Sequence, residues 1–166
     1  LAVGIRDYLS KTGFSEVVIG LSGGIDSTVT AALAAEAIGP EQVYGVTLPS
    51  TVTAEQNRMD AKRVADNLGI RFSEEGIEEL SQTAVASVDN LTPDSGTRGV
   101  TRENAQARMR GLLLMGIANE IDALVLTPDN KREAAVGYCT LYGDALGAIA
   151  PLGDCTKRRL YGLAEA

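Results

Sequence analysis

The chain has 166 residues and a net charge of −7, with 22 acidic residues against 15 Lys and Arg, and it contains no histidine. Its length fits one domain, and a composition of 45% apolar and 22% charged residues excludes disordered and fibrous classes. The absence of histidine excludes Ser-His-Asp catalysis and His-ligated zinc, and the acidic charge argues against a nucleic-acid partner.

Helical and extended patterns alternate along the chain. The β-branched run 16–20 is typical of a strand buried on both faces of a parallel sheet. The Ala-rich stretch 27–38, which follows it in the chain, is strongly helix-forming. In chain order the pattern predicts a helix over 3–11, a strand over 16–20, a helix over 27–38, a strand over 43–48, a helix over 54–68, a strand over 70–75, a helix over 77–88, a loop over 89–99, a helix over 101–121 capped by Thr101, a strand over 123–126 and a last helix from Arg159 to Ala166.

This alternation predicts an α/β domain with a doubly wound parallel sheet. Ligands of such sheets bind at the carboxyl ends of the strands, so we expect the site just after Gly20, Leu48 and Leu126. The helix over 101–121 has apolar residues on two faces. It is expected either to pair with a second copy or to be buried within its own fold.

The turn after the first strand carries the strongest chemical pattern. It reads Gly20-Leu21-Ser22-Gly23-Gly24-Ile25-Asp26-Ser27. Adjacent glycines let backbone amides approach an anion, the serines add hydroxyl donors, and the next helix presents its positive end, which together indicate a phosphate cradle. A turn whose glycines serve backbone geometry alone is the alternative.

The turn differs from the Walker A loop, in which a lysine holds the phosphates. Its charged residue is Asp26, which would meet a phosphate most easily through a metal ion. The pattern therefore indicates Mg²⁺ between this carboxylate and a nucleotide.

SGGxDS in this position resembles the signature of the PP-loop ATP pyrophosphatases, which cleave ATP between the α- and β-phosphates. Within that superfamily the chain resembles the NAD synthetases, and in particular the synthetase domain of the glutamine-dependent ones. This resemblance implies an adenine nucleotide alpha hydrolase-like fold. It rests further on Gly45-Val46-Thr47-Leu48-Pro49-Ser50, Asp60-Ala61, Glu103-Asn104-Ala105-Gln106-Ala107-Arg108, Asn130-Lys131-Arg132-Glu133, Gly137-Tyr138-Cys139-Thr140-Leu141-Tyr142-Gly143-Asp144, and Ala150-Pro151-Leu152 with Lys157.

The resemblance implies a role for several residues. Asp26 and Glu133 match positions that hold Mg²⁺, and the run from Gly20 to Ser27 matches the ATP loop. Lys157 matches a ligand of the ATP phosphates, and Arg108 matches a position that contacts deamido-NAD. Taken singly, Glu133 on a solvated helix face, Arg108 in an i,i+4 surface pair and Lys157 as a solubilising charge remain open.

The implied reaction is the ATP-dependent amidation of deamido-NAD to NAD through an adenylated intermediate, with release of AMP and pyrophosphate. It needs no side-chain nucleophile, so we read Cys139 and Cys155 as structural. Ammonia would come from solution or from a glutaminase domain, which in this family lies N-terminal to the matching segment. Another PP-loop amidating enzyme remains an alternative.

Pro128 and the short C-terminus favour a further alternative, a nucleotide-binding or assembly subunit without activity. Pro128 stands where the family has a threonine that contacts ATP, and proline offers neither a hydroxyl nor an amide hydrogen. Asp129 brings a negative charge near the expected phosphates. Thr127, one residue earlier, has a hydroxyl that could take the place of the missing one. Leu141 and Ala148 replace substrate-contacting residues of the ammonia-dependent members, which favours the glutamine-dependent branch.

The chain starts at Leu1 and stops within a helical pattern, so we expect residues 1–166 to be a synthetase domain incomplete at its C-terminus, with the glutaminase domain outside it. Two cysteines without a CxxC spacing favour a reducing cytoplasm. No apolar run is long enough to cross a membrane. The family resemblance implies a homodimer.

Overall fold

Parallel strands alternate with helices in the computed structural model, which describes residues 1–165. The strands are β1 (Glu16–Gly20), β2 (Val43–Thr47), β3 (Arg71–Glu74) and β4 (Ala123–Leu126). The helices are α1 (Ala2–Thr12), α2 (Ile25–Ile38), α3 (Glu55–Leu68), α4 (Glu78–Leu91), α5 (Gly99–Glu120), α6 (Lys131–Val136) and α7 (Lys157–Ala164), with a 3₁₀ turn at Pro40–Gln42.

The four strands form one parallel sheet in the order β3-β2-β1-β4. Val18 of β1 lies beside Tyr44 of β2 on one side and Val125 of β4 on the other. The chain winds outward from β1 through β2 to β3 and then returns to the other side of β1 for β4. The strand order therefore reverses between β1 and β4, which is where ligands bind in doubly wound sheets.

Helices cover both faces of the sheet. Val17 and Ile19 of β1 point into a core shared with α1, α2 and α3, whereas Val18 points into a core shared with α5. All three side chains are fully buried. The expected doubly wound α/β architecture is confirmed, and the run of apolar residues in β1 is explained by burial on both faces.

Small residues bring α2 close to the sheet. Ala31 and Ala34 are fully buried against β1 and β2, so the helix that follows the glycine-rich turn sits directly on the strands. The packing of α2 in the core therefore determines the orientation of this turn.

The connection between α4 and α5 is shorter than predicted. Helix α4 continues to Leu91, and α5 begins at Gly99, so residues 89–91 are helical rather than part of a loop. The side chain of Thr97 donates a hydrogen bond to Asp89, which ties the loop back to α4. Thr101 is not the N-cap: Arg98 holds that position, and the amide of Thr101 already donates to the Arg98 carbonyl at 3.1 Å.

The structure contains a helix that the periodicity did not predict. Helix α6 has six residues and begins after Asn130, which caps it. The last helix begins at Lys157 rather than Arg159, and Ala166 lies outside the described residues. None of the helices within residues 1–165 combines the length and the apolar character needed to cross a membrane.

Helix α5 is only partly covered by its own chain. Leu114 and Ala118 are buried against the sheet. Leu112 and Met115 lie on another face of α5 and remain 61% and 42% exposed. This apolar face of α5 has no partner among residues 1–165.

Candidate functional site

The glycine-rich turn leaves β1 at the carboxyl edge of the sheet and closes on its own serines. The Ser22 hydroxyl lies 3.2 Å from the Ser27 hydroxyl and accepts a hydrogen bond from the Gly24 amide at 3.2 Å. The Ser27 hydroxyl donates to the Gly24 carbonyl at 3.0 Å. Gly23 adopts φ 78°, a conformation that few other residues take up. The turn is thus an ordered loop from Gly20 to Ser27.

Helix α2 starts directly after this loop without a capping side chain. Its N-cap residue is Gly24, and no capping side chain accepts a hydrogen bond from the amides of its first turn. Unpaired amides and the helix dipole give the loop a positive end, which suits an anion. The sequence pattern and the local geometry therefore agree on a phosphate cradle.

Asp26 lies in the first turn of α2 and is paired on both carboxylate oxygens. Its Oδ2 accepts from Lys157 Nζ at 2.5 Å, and its Oδ1 accepts from Asn130 Nδ2 at 2.8 Å. The two donors lie 131 and 104 residues away along the chain. The fold thus brings two distant segments to the turn that follows β1.

Lys157 reaches Asp26 because α7 packs against α2. Leu152 and Leu160 are fully buried and form a small core with Val29 of α2. Lys157 is the first residue of α7, so the docking of the helix places its ammonium group at the loop. The ammonium group of Lys157 therefore has a specific partner, which the interpretation as a solubilising charge did not predict.

Glu133 reaches the same place through Asn130. Its Oε2 accepts from the Asn130 backbone amide at 3.0 Å, while Asn130 Oδ1 accepts from the Arg132 and Glu133 amides at 2.9 and 3.4 Å. These reciprocal bonds form a capping box at the start of α6. The two carboxylates expected to hold Mg²⁺ are thus joined by one asparagine. Glu133 thus has a specific partner in the helix cap, although α6 itself has no buried residues.

Negative charge accumulates around these carboxylates. The pKa of Asp129 is raised to about 6, first by burial and then by the nearby charges of Asp144, Glu133 and Asp26. Three carboxylates thus lie close enough to Asp129 to raise its pKa further, although burial is the larger cause.

This donor set fits Mg²⁺, which prefers oxygen ligands. No three His, Cys, Asp or Glu residues among residues 1–165 are arranged to hold a metal ion together. Asp26 and Glu133 supply two carboxylates, and Mg²⁺ commonly takes one or two from a protein and its other ligands from water and phosphate.

Arg108 lies beside the loop that follows α6. Its Nε donates to the Leu141 carbonyl at 3.3 Å, so its partner is this loop rather than a carboxylate four residues away. Thr140 donates to Asp144 Oδ1 through its amide at 2.6 Å, and Tyr142 adopts a φ of 64°. The loop is thus tightly turned, and the exposed guanidinium of Arg108 has further donors for an anion.

Thr127 does not offer a free hydroxyl in place of the one missing at Pro128. It is 9% exposed, and its hydroxyl donates to the Asp144 carbonyl at 3.1 Å. This hydrogen bond ties the segment after β4 to the loop that Arg108 contacts.

Asn130 and Arg110 also contact the site region, although the sequence patterns assigned neither residue a role. The Asn-x-x-Glu spacing is a capping-box signal that could have identified Asn130. Arg110 donates through Nε to the Leu48 carbonyl at 2.9 Å, at the carboxyl end of β2, and burial lowers its pKa. Nothing in the local pattern distinguishes this arginine from the charged residues around it.

The raised pKa of Asp129 predicts a pH dependence of stability. The folded-state pKa of about 6 exceeds the ordinary value of 3.8, so the folded chain binds more protons than the unfolded chain between these two pH values. Ionisation of Asp129 therefore lowers the free energy of unfolding as pH rises through this window. We expect Asp129→Asn to gain stability relative to the wild type from about pH 4 to about pH 7 in urea titrations. Asp154→Asn, at a fully exposed carboxylate, is the control. A difference for Asp129→Asn that does not change with pH would contradict this expectation.

Comparisons with known proteins agree with the motifs. A family model described as NAD synthase matches residues 1–166. The glutamine-dependent NAD(+) synthetase of Acinetobacter baylyi is 45% identical over 167 residues, covering 99% of this chain and 30% of that protein. The structure of glutamine-dependent NAD+ synthetase from Acinetobacter baumannii in complex with ADP matches with a TM-score of 0.94 and 41% identity, covering 99% of this chain and 31% of the other.

A second solved structure widens the comparison. NMN synthetase from Francisella tularensis matches with a TM-score of 0.91 and 32% identity, covering 99% of this chain and 66% of the other. The chain spans 30% of the curated relative from A. baylyi. Because the family model matches every residue from 1 to 166, the chain belongs to the NAD synthase family.

Proposed function

We propose that this chain carries out the ATP-dependent amidation of deamido-NAD to NAD. The observation that carries the proposal is the ion pair of Asp26 with Lys157 beside the loop from Gly20 to Ser27, with Glu133 linked to Asp26 through Asn130. This cluster follows β1, where the strand order reverses. This arrangement joins a phosphate cradle, two oxygen ligands and a mobile cation, which are the parts that nucleotidyl transfer needs.

In the first step, the carboxylate of deamido-NAD attacks the α-phosphate of ATP, and the bond to the β-phosphate breaks. The amides of the loop and of the first turn of α2 hold the phosphate oxygens. Lys157 leaves Asp26 and stabilises the negative charge of the departing pyrophosphate. In the second step, ammonia attacks the acyl adenylate, loses a proton and displaces AMP to give the amide.

Asp26 and Glu133 would hold Mg²⁺. When bound, the ion neutralises phosphate charge and makes the α-phosphate a better electrophile. The ADP complex of the A. baumannii relative supports an adenine nucleotide as the ligand of this fold.

Arg108 is proposed to bind the second substrate. Its guanidinium is exposed beside the loop 137–146 and suits a phosphate or carboxylate. The loop packs closely on α5, since a Cβ at Gly111 would lie 2.8 Å from the Tyr142 carbonyl oxygen. This packing supports a substrate pocket formed by α5 and the loop together.

The ammonia would come from solution or from a glutaminase domain, as in the glutamine-dependent relatives. Glutamine hydrolysis uses an activated cysteine. Cys155 is buried in the core beneath α7, while Cys139 is exposed, and both are unpaired. We therefore keep both as structural residues, and unpaired thiols favour a reducing compartment such as the cytoplasm.

The experiment that tests the proposal combines binding with turnover. Isothermal titration should show binding of Mg-ATP, and AMP should form only when deamido-NAD is added. Binding of ATP without AMP formation would support a nucleotide-binding subunit without activity, which Pro128 favours. Absence of ATP binding would overturn the proposal.

A second substrate deserves the same assay, because the chain also matches an NMN synthetase. AMP formation with nicotinate mononucleotide, but not with deamido-NAD, would assign the chain to that reaction. AMP formation with neither pyridine nucleotide, but with another carboxylate, would indicate a different amidating enzyme.

We also propose that two copies pair through the exposed apolar face of α5. Leu112 and Met115 supply this face, and a partner would remove them from water. We expect light scattering to give twice the mass of the chain and Leu112→Glu to shift the mass to that of a monomer. Tyr161→Glu, a change at another exposed apolar residue, is the control. A wild-type monomer would contradict the pairing.

A further inference from the structure

Asn130 contacts both of the carboxylates that we propose as ligands of Mg²⁺. Its side-chain Nδ2 donates to Asp26 Oδ1 at 2.8 Å, and its backbone amide donates to Glu133 Oε2 at 3.0 Å. The residue is 2% exposed. A polar side chain this deeply buried is held in place by its hydrogen bonds.

The orientation of the Asn130 amide group is set by α6. Its Oδ1 accepts from the amides of Arg132 and Glu133, so this end of the group must be the oxygen. The NH₂ end is therefore turned towards Asp26, at the other side of the site.

Capping alone does not explain an asparagine here. Serine, threonine and aspartate all supply the acceptor that a helix N-cap needs. Unlike these three, asparagine carries an NH₂ donor besides its carbonyl acceptor, and this NH₂ group donates to Asp26, which lies 104 residues earlier in the chain. The extra group thus links the two halves of the site.

The hydrogen bonds of Asn130 also distinguish the oxygens of each carboxylate. Oδ1 of Asp26 is bound to the buried asparagine, whereas Oδ2 is bound to Lys157, a flexible cation that a phosphate can attract away. Oε2 of Glu133 is likewise bound to the Asn130 amide. One oxygen of each carboxylate is thus free of Asn130.

We propose that Asn130 is a positioning residue for the divalent metal. It orients Asp26 and Glu133 so that Oδ2 of the first and Oε1 of the second are the oxygens offered to the ion. This inference rests on the proposed function, because it takes these two carboxylates as the metal ligands. Residues that orient metal ligands typically contribute about 10–100-fold to metal affinity.

The test replaces Asn130 by serine, which keeps the cap acceptor and removes the NH₂ group that donates to Asp26. Mn²⁺ binding to the purified chain is measured by electron paramagnetic resonance in the presence of α,β-methylene ATP, which is not cleaved. We expect Asn130→Ser to raise the dissociation constant of Mn²⁺ at least about tenfold while the helix content stays unchanged. Asn119→Ser, at an exposed position of α5, is the matched control.

A second measurement needs no variant. The side-chain NH₂ signals of Asn130 in the ¹H–¹⁵N spectrum of the wild type should shift on addition of Mg²⁺, whereas those of Asn119 should not. Equal Mn²⁺ affinity in the wild type and Asn130→Ser, or Asn130 signals that do not respond to Mg²⁺, would overturn the positioning role alone. A wild type that binds no Mn²⁺ would overturn the metal assignment in the proposed function as well.

Discussion

Replacing Asp26 by asparagine is expected to reduce deamido-NAD-dependent AMP formation by roughly 1,000-fold, since a bound metal contributes several kcal/mol to such a reaction and each 1.36 kcal/mol is a factor of ten. The asparagine is nearly the same size as the aspartate, so the loop should keep its shape. What is lost is the charge that meets both Lys157 and the proposed Mg²⁺.

The stability of this variant separates a catalytic effect from a structural one. The ion pair between Asp26 and Lys157 is partly exposed, with side-chain exposures of 21% and 33%. Its loss should therefore change the free energy of unfolding by no more than about 1 kcal/mol.

Asp66→Asn provides a matched control, because it breaks the surface ion pair with Lys62 at 2.9 Å without touching the site. Activity in the control should equal that of the wild type. If Asp26→Asn retained more than about a tenth of the wild-type activity, a loss of less than about 1.4 kcal/mol, Asp26 would not hold the metal.

The second large effect is expected at Gly23, where alanine should abolish measurable ATP binding. Gly23 has φ 78°, and a Cβ there would lie 2.3 Å from the Asn57 carbonyl oxygen of α3. The left-handed conformation alone costs a residue with a Cβ about 1–2 kcal/mol, and the contact with a backbone atom requires the loop to move. The free energy of unfolding should fall by about 2–3 kcal/mol in total.

Gly69 offers the control for this substitution. It has a similar φ of 67°, but a Cβ there would meet nothing within 4 Å. Gly69→Ala should therefore cost about 1 kcal/mol of stability and leave ATP binding unchanged. Isothermal titration with Mg-ATP and urea unfolding of both variants measure the two effects. ATP binding by Gly23→Ala as tight as in the wild type would show that the loop does not hold the nucleotide.

The fold could be predicted from local patterns because these patterns reflect burial. The apolar run 16–20 corresponds to a strand whose residues Val17, Val18 and Ile19 are all fully buried, and the alanines of the next helix reflect its close packing on the sheet. The alternation of strands and helices alone was enough to predict the site at the carboxyl edge of the sheet.

Short elements were harder to predict for a physical reason. Helix α6 has less than two turns, so its apolar residues show no period, and it is held by the Asn130 capping box rather than by an amphipathic face. Thr101 has the chemistry of an N-cap, but the helix already begins at Gly99. Propensity at one position is too weak to determine where a helix starts.

The central contacts of the site depend on packing between distant segments. The chemistry of Asp26, Glu133 and Lys157 was visible in the motifs, but the pair between Asp26 and Lys157 requires α7 to dock on α2 through Leu152 and Leu160. No local pattern predicts such docking. The hydrogen bonds of Asn130 to both carboxylates could not be predicted either, because the bond to Asp26 joins segments that are distant in the chain.

Exchange between [³²P]pyrophosphate and ATP, measured without ammonia, tests the proposed reaction most directly. If the carboxylate of deamido-NAD is adenylated at this site, label should enter ATP only when both deamido-NAD and Mg²⁺ are present, since the first step is then reversible and the second cannot proceed. Exchange that does not depend on deamido-NAD, or no exchange while Mg-ATP is bound, would contradict the proposed function.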